Sequence, residues 1–106
     1  MAKFLLKASY TTEGVKGVLS GGGTARREAV QQTVEGLGGS LDGFYFAFGD
    51  TDAYVIADLP DNATAAAISL VVNAAGGAQV TTVPLLTPEE ADEAAKKSVE
   101  YRPPGT

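Results

Sequence analysis

The residues able to do chemistry in this 106-residue chain fall in three places. The first is the stretch Ser20-Gly21-Gly22-Gly23-Thr24-Ala25-Arg26-Arg27-Glu28. Glycines ahead of a helix N-terminus can present backbone N–H groups to an anion, and Arg26 or Arg27 can close over it. The stretch lacks the lysine of a phosphate-binding loop and an acidic residue placed to hold a ribose. Its alternative is a flexible break between two helices, with both arginines in solvent or in a subunit salt bridge. The second place is the turn Gly49-Asp50-Thr51-Asp52, where Asp50 and Asp52 could share a proton or hold a hard cation. Aspartates in a hairpin more often bond their own backbone and set the turn, and the spacing of a calcium loop is missing. The third is Tyr10, Tyr45 and Tyr54, which with Arg26 or Arg27 could orient a small acidic or phenolic ligand in a pocket between sheet and helices. The competing reading is core packing, each phenol finding one partner.

Composition removes many mechanisms. With no cysteine there is no disulfide, thiolate nucleophile or zinc–sulfur site. With no histidine there is no Ser-His-Asp or Cys-His machinery, and the usual base near neutral pH is missing. No metal site and no cofactor are called for. A net charge of −5 argues against a nucleic-acid partner, because phosphate binding is driven by clustered Lys and Arg. Glu89, Glu90, Asp92 and Glu93 suit a solvated helix start. No apolar run approaches the ~20 residues that cross a bilayer, so no membrane partner is expected. Lys7 cuts the apolar run near the N-terminus to Phe4-Leu5-Leu6, too short for a signal-peptide core, and a cytoplasmic protein is the default expectation.

The elements that must position these residues follow from periodicity. Lys3 to Tyr10 alternates, with Phe4, Leu6, Ala8 and Tyr10 on one face of a strand. Thr11-Thr12-Glu13 opens a short helical turn that the glycines at 21–23 break. A helix capped by Thr24 runs to Leu37, with Val30, Thr33, Val34 and Leu37 as its buried stripe, and Gly38-Gly39 ends it. Ser40 to Leu59 reads as a hairpin around which the chain is organised. Phe44, Phe46 and Phe48 share one face of its first strand, with Tyr45 and Ala47 on the other. A helix from about Pro60-Asp61-Asn62 to Gly76-Gly77 is apolar nearly all round, so it is buried all round or packs on a neighbour. Asn62-Ala63-Thr64 matches a glycosylation sequon but reads better as a helix cap. Ala78 to Val83 is the last strand. Thr87-Pro88-Glu89-Glu90 caps a terminal helix reaching about Val99.

The order is β-α-β-β-α-β plus a C-terminal helix: an α+β, ferredoxin-like fold with a four-stranded antiparallel sheet and helices on one face. One domain is expected, with a core at about 3–86, the terminal helix at about 88–99 and a tail at 100–106 that is frayed or laid across a neighbour. The hairpin strands lack a polar face, and one helix layer covers only one side of a sheet. Burying the other side against a second copy is the simplest solution, so a homodimer or larger oligomer is expected.

Four ordered segments carry a resemblance to a known family: Lys7-Ala8-Ser9-Tyr10-Thr11, the glycine-rich stretch into Arg26-Arg27-Glu28, Phe44-Tyr45-Phe46-Ala47-Phe48-Gly49 and Leu85-Leu86-Thr87-Pro88-Glu89-Glu90. Together they resemble the GYD-domain family over about residues 3–99. Gly49 and Asp52 look like the glycine and aspartate of its signature, with Thr51 at the tyrosine position. The resemblance implies a ferredoxin-like fold similar to the dimeric α/β-barrel proteins and leaves the chemistry open. Two functions stay in view. One is a homo-oligomeric module that binds a small molecule or serves assembly. The other, by fold analogy, is a cofactor-free enzyme of the barrel-type monooxygenase or isomerase kind, with Tyr10, Arg26 and Asp52 around one pocket.

Overall fold

The computed structural model describes residues 1–106. In chain order the elements are β1 (Ala2–Tyr10), α1 (Thr12–Gly21), α2 (Gly23–Gly36), β2 (Ser40–Phe46), β3 (Ala53–Leu59), α3 (Asn62–Ala75), β4 (Ala78–Leu85) and α4 (Pro88–Ala95). The four strands form one antiparallel sheet in the order β2-β3-β1-β4. This is the ferredoxin-like arrangement, with an added C-terminal helix. No helix is long and apolar enough to cross a membrane.

Alternation in β1 has the consequence expected of it. Phe4, Leu6 and Ala8 are buried on the helix side with Val55, Ala57 and Leu59 of β3, to which their strand is paired. Val34 of α2 and Ala65 and Ile68 of α3 close this core from above. Of the expected α2 stripe, Val34 is buried and Val30 packs against the core, whereas Leu37 is largely exposed. Leu37 falls where the helix has already ended. There Gly38 turns left-handed at φ 84°, its N–H donating to the Glu35 carbonyl while Gly39 N–H donates to Val34. These crossed bonds complete a Schellman end that a residue with a Cβ would strain.

Several boundaries differ from expectation for identifiable reasons. The first helical turn grows into the ten-residue α1, capped by Thr11, whose Oγ1 accepts the Gly14 N–H. The glycine break narrows to Gly22 alone, at φ 85° and ψ 162°. Gly22, with no side chain to offer a bond, is therefore the N-cap of α2, and Thr24 lies inside the first turn. The cap of α3 is Asp61 rather than Asn62. Its carboxylate accepts both the N–H and the hydroxyl of Thr64, at 2.8 and 2.7 Å. Those donors favour the ionised form, the hydroxyl most, and hold the Asp61 carboxyl below its ordinary range.

β2 stops at Phe46, because the Ala47 N–H donates to the Asp52 carbonyl at 2.8 Å and closes the hairpin there. Phe44 and Phe46 share the helix side, their rings 5.1 Å apart edge to face, but Phe48 lies beyond the closure and is fully exposed. α3 buries only Ala65 and Ile68, and Leu70 and Val71 are 72% and 68% exposed. It is therefore not buried all round in the single chain. β4 runs on to Leu85, paired there with Lys3. α4 begins at the expected Thr87–Glu90 capping box but ends at Ala95, well short of Val99, and buries no residue.

Candidate functional site

α2 lies along β2 and α3 along β4, and a groove opens between the two helices over part of β1 and β3. The result is a slot of about 430 Å³. Its floor is Leu6 and Ala8 of β1, Ala53 and Val55 of β3 and Val80 of β4; Val30 and Val34 of α2 form one wall, Ile68 and Val72 of α3 the other. Small residues on the floor create this room. Ala8, Ala53 and Ala78 stand where larger side chains would fill the space under the helices. The volume lies within the range of small-molecule pockets, and the lining is predominantly apolar.

One end of the slot is different. Tyr10, the last residue of β1, and Arg26, in the second turn of α2, both line it. The guanidinium carbon of Arg26 lies 6.0 Å from the centroid of the Tyr10 ring, at the limit of a cation–π contact. The Nε of Arg26 is enclosed and has no hydrogen-bond partner. Thr33 also lines the slot, but its hydroxyl donates to the Ala29 carbonyl one turn earlier at 3.0 Å, so it is already used.

Asp52 stands behind this end rather than in it. Its Oδ2 accepts the Tyr10 N–H at 2.8 Å, and its own N–H donates to the Ala8 carbonyl at 2.9 Å. Ser9 Oγ adds a bond to the Asp50 carbonyl at 3.0 Å. The aspartate thus splices the hairpin tip onto the end of β1 instead of bonding its own turn, and it fixes the backbone that carries the Tyr10 ring. A similar splice holds the other side of Tyr10. Thr11 N–H and Oγ1–H donate to the carbonyls of Gly77 and Gly76, at 3.1 and 2.8 Å. Here Gly14 comes so close that a Cβ on it would lie 1.9 Å from the Gly77 carbonyl oxygen.

The remaining candidates go elsewhere. Tyr45 pairs with Tyr54 on the opposite side of the sheet, so neither tyrosine can meet a ligand in the slot. Arg27 borders a smaller recess of about 270 Å³ with Gly23, Thr24, Phe44 and Phe46. Gly49 is in the open hairpin loop beside Phe48. Of the trio Tyr10, Arg26 and Asp52, the structure brings the first two to one cavity and commits the third to the backbone. Of the slot walls, the sequence marks the α2 side through the helical spacing of Val30 and Val34, while α3, apolar nearly all round, gives no sign of which residues face the slot.

The side of the sheet away from the helices is bare. Leu5, Ile56, Val83 and Leu85 are half-buried there, with Tyr45 and Tyr54 exposed among them. Asp42, the extra residue of a bulge between Leu41 and Gly43, joins Asp58 at the rim, where Lys3 pairs with both carboxylates. Hydrogen bonding to the Lys3 ammonium lowers the Asp42 carboxyl below its ordinary range, and the same bond raises the Lys3 ammonium above its own.

The GYD-domain family model matches residues 4–95. No curated protein and no solved structure matches the chain.

Proposed function

From the premise that the chain belongs to the GYD-domain family, we propose that it is a homo-oligomeric module that holds a small apolar molecule in the slot between α2 and α3. The observation that carries this reading is the slot itself: about 430 Å³ of apolar-walled space over the middle of the sheet, with one polar end. A native core is packed nearly without voids, so a space of this size is maintained by the alanines that leave it open. The supporting observation for assembly is the bare sheet face, whose central residues Leu5, Ile56 and Val83 gain by meeting a second copy. The two surfaces lie on opposite sides of the sheet, so ligand and partner do not compete.

A reaction in the same slot is the second reading, favoured by one observation, the Tyr10 phenol ring held beside a cation. It would be a cofactor-free reaction relying on the substrate's own reactivity, since Asp52 is already committed to the Tyr10 N–H.

Native mass spectrometry on protein purified without denaturation tests the main reading. The expected result is an even-numbered oligomer carrying an added mass of a few hundred daltons. Val30→Phe fills the slot and should lose the added mass while keeping the subunit number. Ile56→Lys should do the reverse, giving a monomer that retains the ligand. A wild-type monomer would defeat the assembly half. Added mass that survives Val30→Phe would move the ligand out of the slot.

A further inference from the structure

We infer that the molecule held in the slot is an apolar monocarboxylate, its carboxylate on Arg26 and its tail along the Leu6–Ala8–Val55 floor; this rests on the slot being a binding site. The Arg26 Nε is enclosed without a partner, whereas a buried N–H in a native protein is bonded in nearly every case. Nor does the chain supply a counter-ion. Its ion pairs are Lys3 with Asp42 and Asp58, and Lys16 with Glu13, and none includes Arg26. Asp52, bonded to the backbone of Tyr10, is taken by the Tyr10 N–H at 2.8 Å and does not line the slot. The Arg26 guanidinium thus lines the slot with no anion of the chain paired to it, and its charge is left for an acceptor brought from outside.

The chemistry of that acceptor follows from what surrounds it. A guanidinium offers a planar fork that matches a carboxylate with two parallel bonds. The Tyr10 ring stands 6.0 Å from the guanidinium carbon and flanks it at the same end of the slot. A dianionic head such as a phosphate would need several further donors, and beyond Arg26 the lining side chains offer at most the Tyr10 hydroxyl, since Thr33 already donates to Ala29. Beyond Arg26 and Tyr10 the lining is almost wholly apolar, which selects a tail without polar groups. The chain's net charge of −5 gives an anion no long-range attraction, so selection for the head rests on the local contact.

Three probes with one ten-carbon tail test this on the full chain by isothermal titration calorimetry: decanoate, decan-1-ol and decylammonium. Decanoate should bind at least about tenfold more tightly than decan-1-ol, the margin of one charge-assisted hydrogen bond, and decylammonium more weakly than both. Arg26→Gln should lower decanoate affinity by about the same factor and leave decan-1-ol within about twofold; Arg26→Lys should restore part of the loss. Equal binding of decanoate and decan-1-ol to the wild-type chain would overturn the carboxylate assignment while leaving the slot as a site. Failure of all three probes would overturn both. The wild-type comparison needs no variant to fold, so it stands even if Arg26→Gln is unstable.

Discussion

The two sides of the sheet are built from alternate residues of the same strands, yet they have come to opposite ends. On the helix side β3 contributes Ala53, Val55, Ala57 and Leu59, all buried, two of them alanines with no exposed surface at all. On the other side the same strand shows Tyr54, Ile56 and Asp58, none of them buried. The helix side is finished except where small residues hold the slot open. The bare side is apolar across Leu5, Ile56 and Val83, with Lys7 beside Tyr54 and Thr81 and the Lys3–Asp42–Asp58 cluster at one rim, and the proposed second copy would cover it. Burial therefore separates what the single chain needs in order to fold from what it presents to other molecules.

The sharpest way to break this contrast is to truncate one residue on each side. Leu59 is wholly enclosed, so Leu59→Ala should cost about 2–5 kcal/mol, read from urea unfolding. Ile56→Ala, measured on dilute protein where no copy is present, should cost less than half as much. Equal losses in dilute solution would show that the bare side is as important to the isolated chain as the covered one. A second test stays on the helix side, where the end of β1 is spliced to the α3–β4 turn. Gly14→Ala must push the Gly77 carbonyl away and should cost about 1–3 kcal/mol, as overpacking does. Because Thr11 is bonded to the same turn, the variant should also perturb Tyr10 and weaken decanoate binding before it unfolds the chain.

The smallest effect belongs to the bare side's rim. Asp42, its carboxyl lowered chiefly by the hydrogen bond from Lys3, stabilises the fold above the ordinary carboxylate range, and that contribution fades as pH falls through its folded value. Lys3, raised chiefly by the same bond, contributes below the ordinary lysine range and loses its part as pH rises through its own folded value. The stability difference between wild type and Lys3→Met should thus be small near neutrality, absent in acid and at strongly alkaline pH, and reduced by salt, since these groups are exposed. A difference that persists in acid would mean that Lys3 acts through packing of its stem.

Much of this was legible in the chain because the signals were local. The alternation of Phe4, Leu6, Ala8 and Tyr10 marks which side of β1 is covered, and Thr87-Pro88-Glu89-Glu90 announces a helix start that the structure contains bond for bond. What failed depended on distant partners. Nothing near Asp52 says that its carboxylate will accept the N–H of Tyr10, forty-two positions away. Nothing near Phe48 says that Ala47 and Asp52 will close the hairpin first. The candidate tyrosines divided for the same reason. Tyr10 and Tyr45 look alike as strand residues, and only the register of β2 on β3, with its bulge at Asp42, puts Tyr45 on the far side. Arg26 was picked out both for a glycine-rich loop and for a pocket with Tyr10 between sheet and helices, and the structure gives it the second setting, the end of a slot whose walls no single stretch of sequence outlines.

The central position of β1 also bears on how the chain comes together during synthesis. Its partners are β3 and β4, whose residues lie more than forty and sixty positions downstream, so only the β2–β3 hairpin can pair while the chain is still short. Until β4 has left the ribosome, the Phe4–Ala8 ridge has a free edge and the slot lacks the part of its floor that carries Val80. Loop closure over such spans is slow compared with helix formation, and an unfinished sheet edge invites the wrong strand. The nascent protein is thus exposed to mispairing with its own copies for most of its translation.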